Sequence, residues 1–178
     1  MKKKSVHYLV QAALIAALYA VLTILQNVLI PNSATLAVQF RASEALTMLA
    51  LFTPAAIPGL FVGCILANIS SVAALGPLDM IFGSLASLAA AFIMYKTRNL
   101  RIKGIPFAAT LMPALVNGLV IGFEIEYFFV EGGFHFSDFL LQGALVALGE
   151  LAVVFVLGIP LMKMIEKTGL DKRLFVKE

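Results

Sequence analysis

Residues 38–71 read VQFRASEALTMLALFTPAAIPGLFVGCILANISS. They set Arg41, Glu44 and Asn68 into sequence that otherwise reads as membrane interior. Placing a charged side chain in hydrocarbon costs roughly 2.5 to 3.5 kcal/mol on the insertion scale. Arg41 and Glu44 therefore need a partner, a ligand or water, and a polar pocket between membrane helices is the natural expectation. The stretch also poses a problem of length. At about 1.5 Å per residue, residues 43–52 are too few to cross a bilayer about 30 Å thick. Either the preceding loop dips inward or the helix continues through TPAAIPG; the reading favours the loop. Thr53 followed by Pro54 marks a new helix start, because the hydroxyl caps and a proline at the first position loses no needed hydrogen bond.

The rest of the chain agrees with a membrane setting. Mean hydropathy is +1.00 and 61% of the 178 residues are apolar, far outside the soluble range. At about 20 residues per span the chain holds roughly six helices and little else. The expected fold is all-α: one integral membrane domain over 1–178 with helices near 8–30, 42–53, 54–71, 78–95, 106–128 and 139–165. A short extended outer loop at 33–40 separates the first two. The lone Cys64 lies in an apolar run, where it reads as a small hydrophobe and permits no intrachain disulfide. Lys2, Lys3 and Lys4 before an apolar run imitate a signal peptide, but 8–30 is too long for its core.

Charge placement orients the chain. With six spans and the N-terminus inside, Lys2 to Lys4, then Lys96, Arg98, Arg101 and Lys103, then Lys163, Lys167, Lys172, Arg173 and Lys177 all face the cytoplasm. Arg41 alone falls on the other side, with Asp79, Glu131 and Asp138 on outer connections. This positive-inside pattern predicts a multi-pass protein of the cell membrane with both termini cytoplasmic. The basic clusters serve orientation, so nucleic acid is not the expected partner; the lipid bilayer is.

Individual spans carry further signals. Ala12, Ala16 and Ala20, with Ala13 and Ala17 beside them, make a flat stripe of small side chains on the first helix. The stripe suits close packing inside the bundle or docking to a separate membrane subunit. Asp79 in the first turn of its helix is favoured there by the helix dipole alone. Glu124 and Glu126 point to different sides, so at most one faces the bundle interior. The aromatic-rich connection 129–138 suits an interfacial belt or a lid stacked on a planar ligand, and His135 reads as solvated rather than as a ligand or base.

The catalytic inventory is thin. There is no phosphate-binding GxxxxGK[ST], no HExxH and no Cys/His cluster, so no cofactor or metal is expected in this chain. Ser, His and Asp never occur in a recognisable nucleophile context. What remains is Gln39, Arg41, Glu44, Asn68, Asp79, Asn117, Glu124, Gln142 and Glu150, all assignable to the outer half or middle of one bundle. Carboxylates and amides together suit a planar polar ligand, and the surplus of acids over Arg41 favours a cationic substituent. The plainer reading pairs Arg41 with Glu44 and leaves the others to interhelical hydrogen bonds or water. A substrate-binding subunit, a stand-alone secondary transporter and an intramembrane enzyme using Glu44, Glu124 or Glu150 all stay open. The two halves show no evident repeat of the kind many secondary transporters carry.

The runs FRASEALTMLALFTPAAIPGLFVGCILAN, GPLDMIFGSLASLAAA, PALVNGLVIGFEIEY and ALGELAVVFVLGIPL resemble the QueT family of queuosine-precursor transporters, from about residue 12 to residue 160. The resemblance implies an S component of an energy-coupling factor (ECF) transporter, not an enzyme. It implies six helices and an outward-facing site for a 7-deazaguanine such as the aminomethyl precursor (preQ1) or queuine. It also implies that Ala12, Ala13, Ala16, Ala17 and Ala20 dock onto a transmembrane coupling subunit driven by two ATPase subunits, which use the ATP. Carried over by position, it places Gln39, Arg41, Glu44, Asn68, Asp79, Asn117, Glu124 and Glu150 in or around the substrate pocket. Leu36 and Ala37 stand where the family pattern has a Gly-Pro-like turn before QFR.

Overall fold

The computed structural model describes residues 2–31, 38–69, 72 and 76–175. Expectations for residues 33–37, Leu36 and Ala37 among them, and for Ser70 and Ser71 lie outside that set. Of the described residues 81% are helical, and none of them forms a strand.

Among the described residues, four helices are long and apolar enough to cross a membrane. We label them α1 (Lys2–Leu29, apolar from Val6), α3 (Leu78–Thr97), α4 (Phe107–Phe129) and α5 (Phe136–Thr168). The two other apolar segments are short: a 3-10 helix over Ala42–Leu51 and α2 over Ala56–Asn68. Six apolar helical segments therefore occur near the expected places, but only four have full spanning length. Thr53 separates the short pair, but it is not the cap expected from the sequence: its Oγ1 accepts the Ala55 N–H at 3.2 Å in the turn before α2, which starts at Ala56 with no side-chain cap. The sequence ASEALTMLAL has good α propensity, so the tighter 3-10 winding reflects its surroundings. At about 2.0 Å per residue it reaches roughly 20 Å where an α-helix would reach about 15 Å, still short of a bilayer core.

Helices α1 to α5 pack in chain order around a ring, and the 3-10 helix closes it between α5 and α1 while also touching α2 and α3. Two pairs of glycines set the closest crossings. A Cβ on Gly59 or Gly63 of α2 would lie 2.9 Å from Ala12 O and 2.8 Å from Tyr19 Cβ. On Gly118 or Gly122 of α4 it would meet the Gly143 backbone of α5 at 2.8 and 2.6 Å. Both are small-xxx-small contacts, which let helices approach where lipid gives no hydrophobic drive between them.

This packing divides the alanine stripe. Ala16 and Ala20 are buried and Ala12 half-buried against α2, whereas Ala13 and Ala17 are exposed. Only Ala13 and Ala17 of the five remain free for an outside partner.

The basic segments gather at one end. Arg101 pairs with Glu166 at 2.6 Å, His7 Nε2 lies 3.1 Å from Leu174 O, and Phe52 stacks on Phe175 at 6.1 Å. The start of α1, the α3–α4 connection and the short helix α6 (Leu170–Leu174) thus share a face. Apolar core residues such as Met48, Met94, Met162 and Ile165 fill the bundle nearest that end.

Candidate functional site

The polar residues collect in the other half. Glu44, Thr47 and Ala50 recur every three residues, and in a 3-10 helix that spacing stacks them along one edge, where all three are buried. The Thr47 hydroxyl donates to Glu44 O at 2.6 Å. The Glu44 carboxylate accepts through Oε1 from the Tyr19 hydroxyl of α1, and its Oε2 is buried with no hydrogen-bond partner among the described residues.

Arg41 lies within electrostatic reach of Glu44, as the plainer sequence reading has it, but its close ion pair is with Asp79. It precedes the 3-10 helix in extended backbone (φ −106°, ψ 99°), which carries its side chain across to α2 and α3. There Nη2 faces Asp79 Oδ2 at 4.0 Å and Nη1 lies 3.7 Å from Cys64 Sγ. Asn68 Nδ2 donates to Asp79 O at 3.0 Å and also lies 3.7 Å from Cys64 Sγ. Gly83 leaves this corner open: a Cβ there would sit 3.1 Å from Asn68 Nδ2 and 3.6 Å from Asp79 Oδ1.

The opposite wall comes from α4 and α5. Asn117 Nδ2 donates to Glu150 Oε1 at 2.9 Å. Glu150 lies within electrostatic reach of Glu44 and Arg41, and Glu124 within reach of Asp79 and Arg41. One oxygen each of Glu124 and Glu150 is buried without a hydrogen-bond partner among the described residues. Both helices depart from α geometry just beyond these residues, with π turns over Ile125–Phe129 and Val154–Gly158. Such widened turns recur at functional sites because they re-aim the side chains that follow.

Gln39 enters from above. Its backbone rests directly on Gly149 of α5, so close that a Cβ on Gly149 would overlap the Gln39 carbonyl. Gln26, at the end of α1, holds the same strip from the other side. Its Nε2 donates to Phe40 O, and its Oε1 accepts the Ala42 N–H at 2.7 Å. The strip 39–41 is thus held between α1 and α5, with Gln39 and Arg41 buried and Phe40 exposed.

All eight residues singled out by sequence are buried: Gln39, Arg41, Glu44, Asn68, Asp79, Asn117, Glu124 and Glu150. Gln142 is only half-buried. Three participants were not foreseen. Tyr19 lies on the Ala12–Ala16 side of α1, where a hydroxyl among alanines was the available signal. Cys64 touches the guanidinium instead of only filling core, and Gln26 holds the entering strip. Glu126 is also fully buried, but under the α4–α5 connection. The aromatic rings of that region contact one another at the surface, Phe123 with Tyr127 at 5.3 Å and with Phe134 at 5.9 Å, which favours the belt over the lid.

Four carboxylates, two side-chain amides and one guanidinium therefore converge from six segments of the chain. Such a cluster does little for stability, because desolvation offsets much of the Coulomb gain. Besides Asp79 Oδ2, which faces Arg41, three carboxylate oxygens have no hydrogen-bond partner among the described residues and can accept from a donor-rich, positively charged guest.

Fold and site together define an integral membrane protein built around a buried, predominantly acidic polar site. The QueT transporter family model matches residues 9–167, nearly the whole chain, and the chain belongs to that family. It is a membrane transporter protein. No curated protein and no solved structure matches it.

Proposed function

We propose that this chain is the substrate-binding S component of an ATP-driven ECF importer, and that its cargo is a queuosine precursor, a 7-deazaguanine such as preQ1 or queuine. The observation that carries the cargo is the set of buried, partnerless oxygens on Glu44, Glu124 and Glu150 around a single guanidinium. A guanine edge presents adjacent N–H donors, which one carboxylate accepts as a pair. The ring carbonyl takes a donor from a side-chain amide or from Arg41. The amine of preQ1 or queuine supplies the positive charge that the cluster lacks.

The site lies in the half of the bundle away from the basic segments, and by the positive-inside rule that half faces outward in the cell membrane, with both termini cytoplasmic. Cargo is captured from outside. The coupling subunit and two ATPase subunits belong to partners, and Ala13 and Ala17 with exposed Val10, Leu14 and Leu18 give α1 an apolar face for the coupling subunit.

The test is equilibrium binding to the purified chain alone, with preQ1, queuine and guanine titrated against the parent and Glu44→Gln. Binding of the aminated deazaguanines that exceeds guanine and falls at least about tenfold in the variant supports the reading. No binding by folded protein removes the cargo. Uptake that proceeds without ATP or partner subunits replaces the S component by a stand-alone carrier.

A further inference from the structure

The end of α4 and the start of α5 bring together a second group of ligands, separate from the acidic site. Glu126, His135 and Asp138 place two carboxylate oxygens and one imidazole nitrogen within 4.8 Å of one another. Glu126 is the fixed member, 0% exposed; its Oε1 accepts the His135 backbone N–H at 3.0 Å. Its Oε2 is buried and has no hydrogen-bond partner among the described residues. The His135 ring is mostly exposed, with Nδ1 3.9 Å from Glu126 Oε1, and Asp138 is exposed.

We propose that Glu126, His135 and Asp138 form a binding site for a divalent transition-metal cation of the zinc class. A simple Glu–His ion pair accounts for Oε1 and leaves the second buried oxygen of Glu126 bare, which is costly. A metal uses it. Donors about 2.0 to 2.2 Å from a tetrahedral ion lie roughly 3.4 Å apart, so the ligands need to close by only about an ångström. The side chains of His135 and Asp138 are exposed, and the rotation exchanges only surface contacts such as that of the Ser137 hydroxyl with Asp138 Oδ1 at 3.2 Å. One imidazole among carboxylates suits zinc-class ions better than magnesium or calcium, which prefer all-oxygen shells. The bound ion would tie α4 to α5 across a connection in which Gly132 and Gly133 take positive φ, at 111° and 93°.

The experiment is calorimetric titration of Zn²⁺ and Mg²⁺ into full-length, chelator-stripped protein without a polyhistidine tag. One equivalent of Zn²⁺ should bind, and His135→Ala and Asp138→Asn should each weaken it at least about tenfold. Both residues are exposed, so the variants should melt with the parent in the presence of chelator. Absence of Zn²⁺ binding, affinity unchanged in both variants, or Mg²⁺ binding as tightly as Zn²⁺ would each overturn the site.

Discussion

The Tyr19 hydroxyl donates to Oε1 of Glu44, joining the most lipid-exposed long helix to the centre of the acidic site. Tyr19 is fully buried, and its Cβ lies against Gly63 of α2, so the hydroxyl is held in place from two sides. Any shift of α1 against α2 is thereby felt at the Glu44 carboxylate.

Replacing Tyr19 by Phe keeps the ring and removes the donor, leaving both oxygens of a buried carboxylate bare. The ligand-free protein should lose about 1 to 3 kcal/mol, the usual cost of orphaning a buried polar group. A deazaguanine edge that supplies N–H donors to Glu44 restores part of that loss. Thermal melts in detergent should therefore show a clear gap between Tyr19→Phe and parent without ligand, narrowing at saturating preQ1. A gap that ligand leaves unchanged would place Glu44 Oε1 outside the contact surface.

Gly149 is the next point of leverage, because the Gln39 backbone occupies the space a side chain would need. Gly149→Val must push the strip 39–41 off α5 and strain the Gln26 contacts to Phe40 and Ala42. The expected result is ligand affinity reduced by at least about tenfold, with a stability loss of roughly 1 to 3 kcal/mol, the range for overpacking. Parent-like binding by Gly149→Val would show that the strip is not required to form the site.

The burial of the site's polar residues was legible in the sequence, because the membrane penalises polar side chains so heavily that each survivor needs a partner, a ligand or water. Arg41, Glu44, Asn68, Asn117, Glu124 and Glu150 stood out for that reason, and Gln39 and Asp79 by their place beside them and by the family resemblance; all eight are buried. Which of them meet was not legible. Arg41 and Glu44 are three apart and look like a helical pair, yet Arg41 precedes the helix in extended backbone and makes its close ion pair with Asp79. The 3-10 winding of Ala42–Leu51 and the two π turns leave no trace in composition, since the same residues favour an α-helix. The glycine pairs at 59 and 63 and at 118 and 122 did carry a readable small-xxx-small spacing, and they locate the two closest crossings.

The same logic sharpens a test of docking on α1. Ala16 is buried and its backbone meets Gly63, so Ala16→Trp drives a large ring into the α1–α2 contact. It should lower stability by about 1 to 3 kcal/mol or more and reduce binding whatever α1 does outside the bundle. Ala17 is exposed, on the part of α1 turned away from the Ala12, Ala16 and Tyr19 contacts with α2's glycines. If α1 docks a coupling subunit, Ala17→Trp should bind preQ1 with parent affinity, melt with the parent, and lose at least about tenfold in ATP-dependent uptake when all partner subunits are present, because the indole holds the two helices apart. Uptake that survives Ala17→Trp, measured beside unchanged binding, would move the docking surface off this face of α1.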